Sequence, residues 1–258
     1  MENVPRINAE KVVDYIVSFL KDELQKLNVR AAVFELSGEV DSSIVANLCK
    51  MAVGRDNTYG IILPYKDTPK DALDNAFQTG RTLGIRYLRF NITSQIDYYF
   101  RNFPQADRER KENKMARERM SILYDLASHF SGVVIGTINK SKFYLGYGTS
   151  HGNFAFDLNP IGDLYKTQIY QIAEYLKIPQ EIIEREKKFE KENGKEITEE
   201  IDLILHYHID KGLDEDEIIK TKGMDAEKVK EIVQKVKSTE FMRKLPPVGK
   251  IPDEVKYG

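Results

Sequence analysis

The stretch that decides the fold reads Ala31-Ala32-Val33-Phe34-Glu35-Leu36-Ser37-Gly38-Glu39-Val40-Asp41-Ser42-Ser43. An apolar run ends at Ser37-Gly38, and a helical pattern begins at once, with Ile44, Val45 and Leu48 on one face. The sequence therefore predicts a strand, a tight turn and a helix. In such a turn, backbone N–H groups and the N-terminus of the helix face an anion, which makes the turn a candidate phosphate cradle.

The side chains of this turn favour a nucleotide phosphate. Asp41 offers a carboxylate suited to Mg²⁺, and Ser42 or Ser43 can cap the helix and touch a phosphate. The turn is not a Walker loop, because no Gly-Lys-Ser/Thr follows it. Glu39 argues the other way, because a carboxylate inside a phosphate cradle repels phosphate. An ordinary strand, turn and helix with a serine cap therefore stays open as the alternative.

Length and composition bound the class of protein. The chain has 258 residues, 41% of them hydrophobic, which is enough for one large domain or two small ones. The formal net charge of −2 gives no electrostatic case for binding nucleic acid or a membrane. Cys49 is the single cysteine, which excludes an internal disulfide framework. Because no apolar run reaches transmembrane length and no signal-peptide core is seen, we expect a soluble, cytoplasmic protein.

Strands alternate with helices along the first half of the chain. The pattern predicts strands at Ala31–Leu36, Thr58–Leu63, Arg86–Asn91 and Gly132–Gly136. It predicts helices at Lys70–Leu83, Gln95–Phe100 and Met115–Phe130, with a charged loop around Asp107–Glu112. This alternation is typical of an α/β fold, a doubly wound parallel sheet flanked by helices. Ligands bind such sheets beyond the carboxyl ends of the strands, so the loops after the four strands should line one site.

The second part of the chain is mainly helical. A helix is predicted at Leu164–Leu176, and Arg185–Glu200 is so charged that we expect a mobile segment or a simple exposed helix extension. Further helical patterns lie at Ile201–His208, Glu215–Ile219 and Glu227–Val236. We interpret residues 1–258 as a single domain, with a nucleotide-binding α/β core of about residues 10–180 and a helical C-terminal part of about residues 181–258.

Several stretches resemble the motifs of one enzyme family, the ammonia-dependent NAD synthetases. Arg117-Glu118-Arg119-Met120 resembles their Ala-Arg-x-Arg-Met helix, and Gly136-Thr137-Ile138-Asn139-Lys140-Ser141 resembles their Gly-Thr-x-Asn-x-Ser. The run Asp157-Leu158-Asn159-Pro160-Ile161-Gly162-Asp163-Leu164-Tyr165-Lys166-Thr167 is very close to a later loop and helix of that family. The Ser37–Ser43 turn resembles the pyrophosphatase loop of the wider ATP pyrophosphatases. The match is collinear from about residue 10 to residue 185.

The resemblance implies an adenine nucleotide alpha-hydrolase-like fold and the amidation of nicotinic acid adenine dinucleotide to NAD. In that reaction ATP adenylates the nicotinate carboxylate and releases pyrophosphate, and ammonia then displaces AMP. The implied ligands are ATP, Mg²⁺, the deamido dinucleotide and ammonia. The implied assembly is a homodimer.

The resemblance also implies roles for individual residues. The ATP-binding positions are Ser37, Gly38, Asp41, Ser42, Ser43, Arg117, Thr137 and Lys166. The substrate-binding positions are Arg119, Asn139 and Asp157, the metal ligand is Asp41, and the catalytic positions are Asp41, Lys166 and Asn153. Taken singly, these residues have plainer interpretations. The two arginines can be surface cations, the lysine a solvated helix residue and the threonine a helix cap.

The chain departs from the family pattern at positions of chemistry. Lys142 stands at the family's second Mg²⁺ ligand, a glutamate, and a lysine does not ligate Mg²⁺. Asn153 stands where the family has an aspartate assigned to ammonia activation, and asparagine is no base. Glu39 replaces the second glycine of the phosphate loop. Two hypotheses follow: a working NAD synthetase with a modified metal site, or a paralogue that keeps the fold and dimer and acts as a binding or regulatory protein.

Two of these departures carry opposite charges. Glu39 and Lys142 replace residues that flank the same triphosphate in the family. We therefore predict that the two side chains approach each other and form an ion pair in the phosphate pocket. The alternative is that both point to solvent, where lysine and glutamate are usually found.

Overall fold

A computed structural model of the chain describes residues 4–258, and within them four parallel strands form one sheet. The strands are β1 Ala31–Glu35, β2 Thr58–Ile62, β3 Arg86–Arg89 and β4 Gly132–Val134, in the order β3-β2-β1-β4. In the register, Val33 lies beside Tyr59 on one side and Val134 on the other. The predicted parallel sheet is confirmed, and β1 lies inside it, so the turn after β1 stands at its carboxyl edge.

Helices cover both faces of the sheet and form most of the rest of the chain. Their bounds are α1 Ala9–Lys26, α2 Val40–Val53, α3 Lys70–Leu83, α4 Thr93–Phe100, α5 Arg108–His129, α6 Lys140–Tyr144, α7 Lys166–Tyr175, α8 Gln180–Glu192, α9 Glu199–Leu205, α10 Glu215–Lys222, α11 Ala226–Ser238 and α12 Asp253–Tyr257. A π-helical turn, His206–Asp210, extends α9, and short 3₁₀ turns lie at Arg55–Asn57 and Glu240–Arg243. Over residues 4–258, no helix has both the length and the apolar character that crossing a membrane requires.

The alternation of side chains along β1 explains the two layers of helices. Ala32 and Phe34 point into the core formed with α1, α2 and α7, and Val33 points into the core formed with α4 and α5. A third cluster of buried side chains joins the C-terminal helices to Tyr165 and Leu145. The helices therefore bury the central strands β1 and β2 from both sides, as the predicted doubly wound fold requires, while the edge strand β3 is largely exposed.

The charged loop predicted around Asp107–Glu112 is wrong, because these residues begin α5. The Asp107 side chain accepts a hydrogen bond from the backbone N–H of Arg110 at 2.7 Å, which caps the helix. Arg108 and Glu112 then form an i,i+4 ion pair at 2.6 Å. The segment is highly charged because it is a solvated helix face.

After Arg185 the chain forms the predicted helix extension, but the expectation that this extension is simply exposed is wrong at two positions. Helix α8 continues to Glu192, and Glu186 and Glu190 are buried. Both lie on the face that carries the buried Ile182 and Ile183, three to eight residues earlier. The carboxylates are tolerated inside because two lysines meet them there.

Candidate functional site

The conformation of the turn after β1 depends on a glycine, Gly38, at a position where no other residue type fits. Gly38 has a φ of +80°, and a Cβ at that position would lie 2.0 Å from the carbonyl oxygen of Ala72. The Ser37 hydroxyl donates to the Ser42 hydroxyl at 3.2 Å and accepts the N–H of Glu39 at 3.4 Å. The turn is therefore held against α3 in one conformation, which places the start of α2 at the carboxyl end of β1.

The serines do not cap α2 as the sequence suggested. The N-cap residue is Glu39, which makes no side-chain cap hydrogen bond. The hydroxyls of Ser42 and Ser43 instead donate back to the carbonyl oxygen of Glu39, at 3.0 and 2.9 Å. No side chain of the turn therefore accepts the first N–H groups of α2, and the N–H of Val40 donates instead to Glu186 of α8.

Asp41 lies in the first turn of α2 and is buried. The side-chain amide of Asn139 donates to both of its carboxylate oxygens, at 3.2 and 3.1 Å. Asn139 also caps α6, because its side-chain oxygen accepts the N–H of Lys142 at 2.9 Å. Asn139, predicted to bind substrate, is fully buried and fixes Asp41 and the start of α6 relative to each other.

Lys142 places its ammonium group at the centre of the acidic side chains. Its Nζ lies 2.7 Å from Asp41 Oδ2, 3.2 Å from Glu186 Oε1, 3.5 Å from Glu190 Oε1 and 3.8 Å from Glu39 Oε2. The predicted approach of Glu39 and Lys142 is found, although Asp41 is the nearer partner. Burial alone lowers the pKa of Lys142, but Asp41 and Glu186 outweigh it and the pKa stands well above its ordinary value.

Lys166 is the second cation of the cluster. It begins α7 and its side chain is fully buried, so the interpretation as a solvated helix residue is wrong. Its ammonium group forms an ion pair with Glu186 and lies 3.6 Å from Asp41 Oδ2. Burial lowers the pKa of Lys166, but the carboxylates of Asp41 and Glu186 raise it by more.

Glu186 and Glu190 belong to the site and were missed in the sequence. Glu186 Oε2 accepts the N–H of Val40, the first residue of α2, at 2.6 Å. Burial raises its pKa, but Lys166 and Lys142 outweigh burial and hold the pKa well below its ordinary value. Glu190 Oε1 is buried without a hydrogen bond, 3.5 Å from each lysine Nζ, and burial raises the pKa of Glu190 to about 7.

The cluster contains oxygen ligands for a divalent cation, but a lysine ammonium group occupies the position between them. Carboxylate oxygens of Glu39, Asp41 and Glu186 lie within 4.8 Å of one another, a hard-oxygen set of the kind Mg²⁺ prefers. The Lys142 ammonium group lies within 3.8 Å of all three. As arranged, these residues do not fit Mg²⁺, because a lysine already supplies the positive charge there.

A cavity of 880 Å³ opens beside the turn, at the carboxyl ends of β1 and β2. Its walls include Ser37, Glu39 and Arg119. Arg119 Nε donates to the carbonyl oxygen of Leu63 at 3.0 Å and lies 3.4 Å from Glu35 Oε1. Arg119 is therefore held at the cavity wall and is not a free surface cation.

The other predicted site residues lie farther along the same edge. Thr137 is half-buried between β4 and α6, and the cap of α6 is Asn139, so Thr137 is not a helix cap. Arg117 is exposed and donates to the carbonyl oxygen of Ser150 at 3.2 Å. Asn153 accepts the N–H of Thr149, and Asp157 accepts the N–H of Val134, both at 2.7 Å. These hydrogen bonds fix the loop after α6 and the end of β4.

Comparison with known proteins gives one consistent family. The family model described as NAD synthase matches residues 12–246. A curated NH₃-dependent NAD⁺ synthetase of Trichlorobacter lovleyi is 37% identical, over 95% of this chain and 92% of that protein. One of Methanocaldococcus jannaschii is 35% identical, over 94% and 97%. The solved NH₃-dependent NAD synthetase of Campylobacter jejuni, in complex with the nitrate ion, superposes with a TM-score of 0.83 at 29% identity, over 95% of this chain and all of that one.

Proposed function

The chain belongs to the NAD synthase family, and from this we propose that it amidates nicotinic acid adenine dinucleotide to NAD with ATP and ammonia. The nicotinate carboxylate attacks the α-phosphorus of ATP, and the bond to pyrophosphate breaks. Ammonia then attacks the acyl carbon of the adenylate, loses a proton, and AMP leaves. The product is the carboxamide of NAD.

One observation supports this proposal most strongly. The turn 37–43, which contains Asp41, lies beside Lys166 at the carboxyl end of β1. The N–H of Val40 at the start of α2 and the Lys166 ammonium group, which both contact the Glu186 carboxylate in this structure, suit the negative charge that develops on a departing pyrophosphate. The neighbouring cavity, with Arg119 on its wall, suits the adenosine and dinucleotide parts of the substrates.

Charge neutralisation at this site is proposed to come from the protein's own lysines. Lys142 and Lys166 each lie within 3.6 Å of Asp41 Oδ2, where positive charge would face the phosphates of ATP. Because the carboxylates do not fit Mg²⁺ as arranged, we assign no step to a metal ion held by the protein. Mg²⁺ enters the proposal only as a companion of ATP.

We propose that no side chain at position 153 deprotonates ammonium for the reaction. Asn153 has no basic side chain, and its oxygen is engaged by the N–H of Thr149. The nucleophile should therefore arrive as neutral ammonia from solution. The rate at a fixed total ammonium concentration should rise with pH through the range in which ammonium deprotonates.

The proposal is tested by incubating the full chain with the deamido dinucleotide, ATP, magnesium chloride and ammonium chloride. We expect NAD, AMP and pyrophosphate in equal amounts, separated by chromatography. Lys166→Met should lower the rate by about a hundredfold, the order expected for losing one preorganised charge. The matched control is Lys188→Met, at an exposed position of α8, which should leave the rate unchanged. Absence of NAD with the wild-type chain would refute the proposal.

We also propose a homodimer and a cytoplasmic location, both supported by membership of the family. Light scattering should give a mass near twice the 29.8 kDa of one chain. A monomer at micromolar concentration would count against the dimer.

A further inference from the structure

The strongest feature that the proposed reaction does not use is the carboxylate of Glu186. It is 2% exposed, it accepts the N–H of Val40 at 2.6 Å, and it pairs with Lys166 and Lys142. A helix N–H and two ammonium groups around one anion are the set of partners that a phosphate oxygen needs. In this structure a side chain of the protein itself takes that place.

We propose that Glu186 is a built-in competitor of phosphate: its carboxylate occupies the anion position of the turn, and a polyphosphate binds only when α8 moves away. The identity of that polyphosphate as ATP rests on the proposed function, whereas the anion position does not.

The way α8 is attached supports a reversible contact. The apolar anchors of α8, Ile182 and Ile183, lie in its first turn. In the rest of the helix, which the structure describes in full, the buried side chains are Glu186 and Glu190. The second half of α8 is therefore held on the site by charge and not by apolar packing. Contacts of that kind weaken when a competing anion is offered.

Glu190 supplies a second, independent observation. It lies one turn after Glu186 and points at the same two lysines, yet its Oε1 is buried without a hydrogen bond. A buried carboxylate oxygen without a hydrogen bond costs free energy, so the ion pairs of Glu190 hold α8 on the site less strongly than those of Glu186. Helix α8 ends at Asn193, and Gly194 follows with a φ of +63°, so the charged half of the helix lies next to a turn and away from its apolar anchors.

The test uses inorganic pyrophosphate, with magnesium chloride in excess, as the probe of the anion position. Calorimetric titrations compare the wild-type chain with Glu186→Gln, which removes the charge and keeps the size. We expect the variant to bind pyrophosphate at least about tenfold more tightly, because the internal competitor is gone. Glu192→Gln, at an exposed position of the same helix, is the matched control and should bind like the wild type.

A second measurement decides the question even if Glu186→Gln fails to fold. Hydrogen exchange of the wild-type chain is followed with and without saturating pyrophosphate. The amides of residues 184–192 should exchange faster when pyrophosphate is present, because α8 leaves the site. Unchanged or slower exchange in that segment, or equal affinity in a folded Glu186→Gln, would overturn the inference.

These outcomes are separable from the proposed function, because pyrophosphate binding requires neither the dinucleotide nor turnover. If the wild-type chain makes NAD but Glu186→Gln binds pyrophosphate no better, the inference alone fails. If Glu186→Gln binds pyrophosphate more tightly but no variant makes NAD, the proposed function alone fails.

Discussion

At the residue scale, four carboxylates and two lysines lie together in the site, and the balance of their charges explains the pKa shifts of the two glutamates on α8. Glu39, Asp41, Glu186 and Glu190 carry four negative charges when ionised, and Lys142 and Lys166 carry two positive ones. The cluster therefore has an excess of negative charge. Glu186, which sits at a helix N-terminus between both lysines, keeps its charge, and Glu190, which has no hydrogen bond at Oε1, holds its proton more readily.

The raised pKa of Glu190 predicts a loss of stability with rising pH. Its pKa is raised to about 7 in the folded chain, from 4.5, by burial. Protonated Glu190 contributes to the free energy of unfolding. This contribution is fully present below pH 4.5 and is lost as the pH rises through 7, to an extent of about 3 kcal/mol. Glu190→Gln should therefore be more stable than the wild type at pH 8 to 9, with little difference near pH 4, as measured by urea unfolding. Identical pH profiles for the two chains would contradict this.

The contact between Lys142 and Glu39 predicts coupled effects on metal-nucleotide binding. Their charged atoms lie 3.8 Å apart. Lys142→Glu alone places two carboxylates side by side, and Glu39→Gly alone leaves the ammonium group at the cation position. The double variant should raise magnesium-ATP affinity, measured by calorimetry, by about 1 kcal/mol more than the sum of the single changes. Additive effects would show that the two residues act independently.

Sequence reasoning identified four of the six residues of this cluster and missed two, Glu186 and Glu190, for a physical reason. The motifs named Asp41, Lys166 and the two departures, Glu39 and Lys142. Glu186 and Glu190 were lost in a run of charges that is usually a solvated face. A signal was present, because these two glutamates continue, at i+4 and i+8, the stripe that begins with Ile182. No pattern in one segment states that lysines from α6 and α7 will meet them.

At the scale of elements, the strand, turn and helix around Gly38 could be predicted from the sequence, but the position at which α5 begins could not. The switch from an apolar run to helical spacing fixed β1 and α2 in the sequence. The start of α5 was missed because Asp107 reads as a loop residue, although it is the cap of a helix that begins at Arg108. Capping geometry depends on where the side chain points, which spacing does not show.

The close contact of the turn with α3 makes a prediction about Gly38. Gly38→Ala should lower the free energy of unfolding by about 3 kcal/mol or more, because a positive φ and a backbone clash at 2.0 Å act together. The matched control is Gly84→Ala, where φ is +64° and nothing lies within 4 Å of the new Cβ. That change should cost only about 1 kcal/mol. Equal losses in guanidinium unfolding would show that the turn yields to the methyl group.

At the scale of the whole molecule, the C-terminal helices hold the elements that carry the lysines. Asp202 of α9 is fully buried and accepts the Ser141 hydroxyl at 2.5 Å and the N–H of Thr167 at 2.8 Å. Lys140 of α6 pairs with Asp210 of the following π-helical turn at 2.6 Å. One buried carboxylate thus ties α6, which bears Lys142, to α7, which begins at Lys166.

These links support the interpretation of residues 1–258 as a single domain and predict its cooperativity. By native-state hydrogen exchange, the most protected amides of β1 (31–35) and α11 (226–238) should open with the same free energy, within about 1 kcal/mol. A difference of several kcal/mol in the wild-type chain would instead describe two units that unfold separately.

Removing the Asp202 side chain should make the opening free energies of β1 and α11 differ. Asp202→Ala leaves the Ser141 hydroxyl and the Thr167 N–H buried without their acceptor, at a cost of about 1 to 3 kcal/mol for each group. Because this cost falls on the junction, the opening free energy of α11 should drop by more than that of β1. Asp216→Ala, on the exposed face of α10, is the matched control and should lower neither. A uniform drop across both regions in Asp202→Ala would mean that the carboxylate supports the whole chain and not this junction.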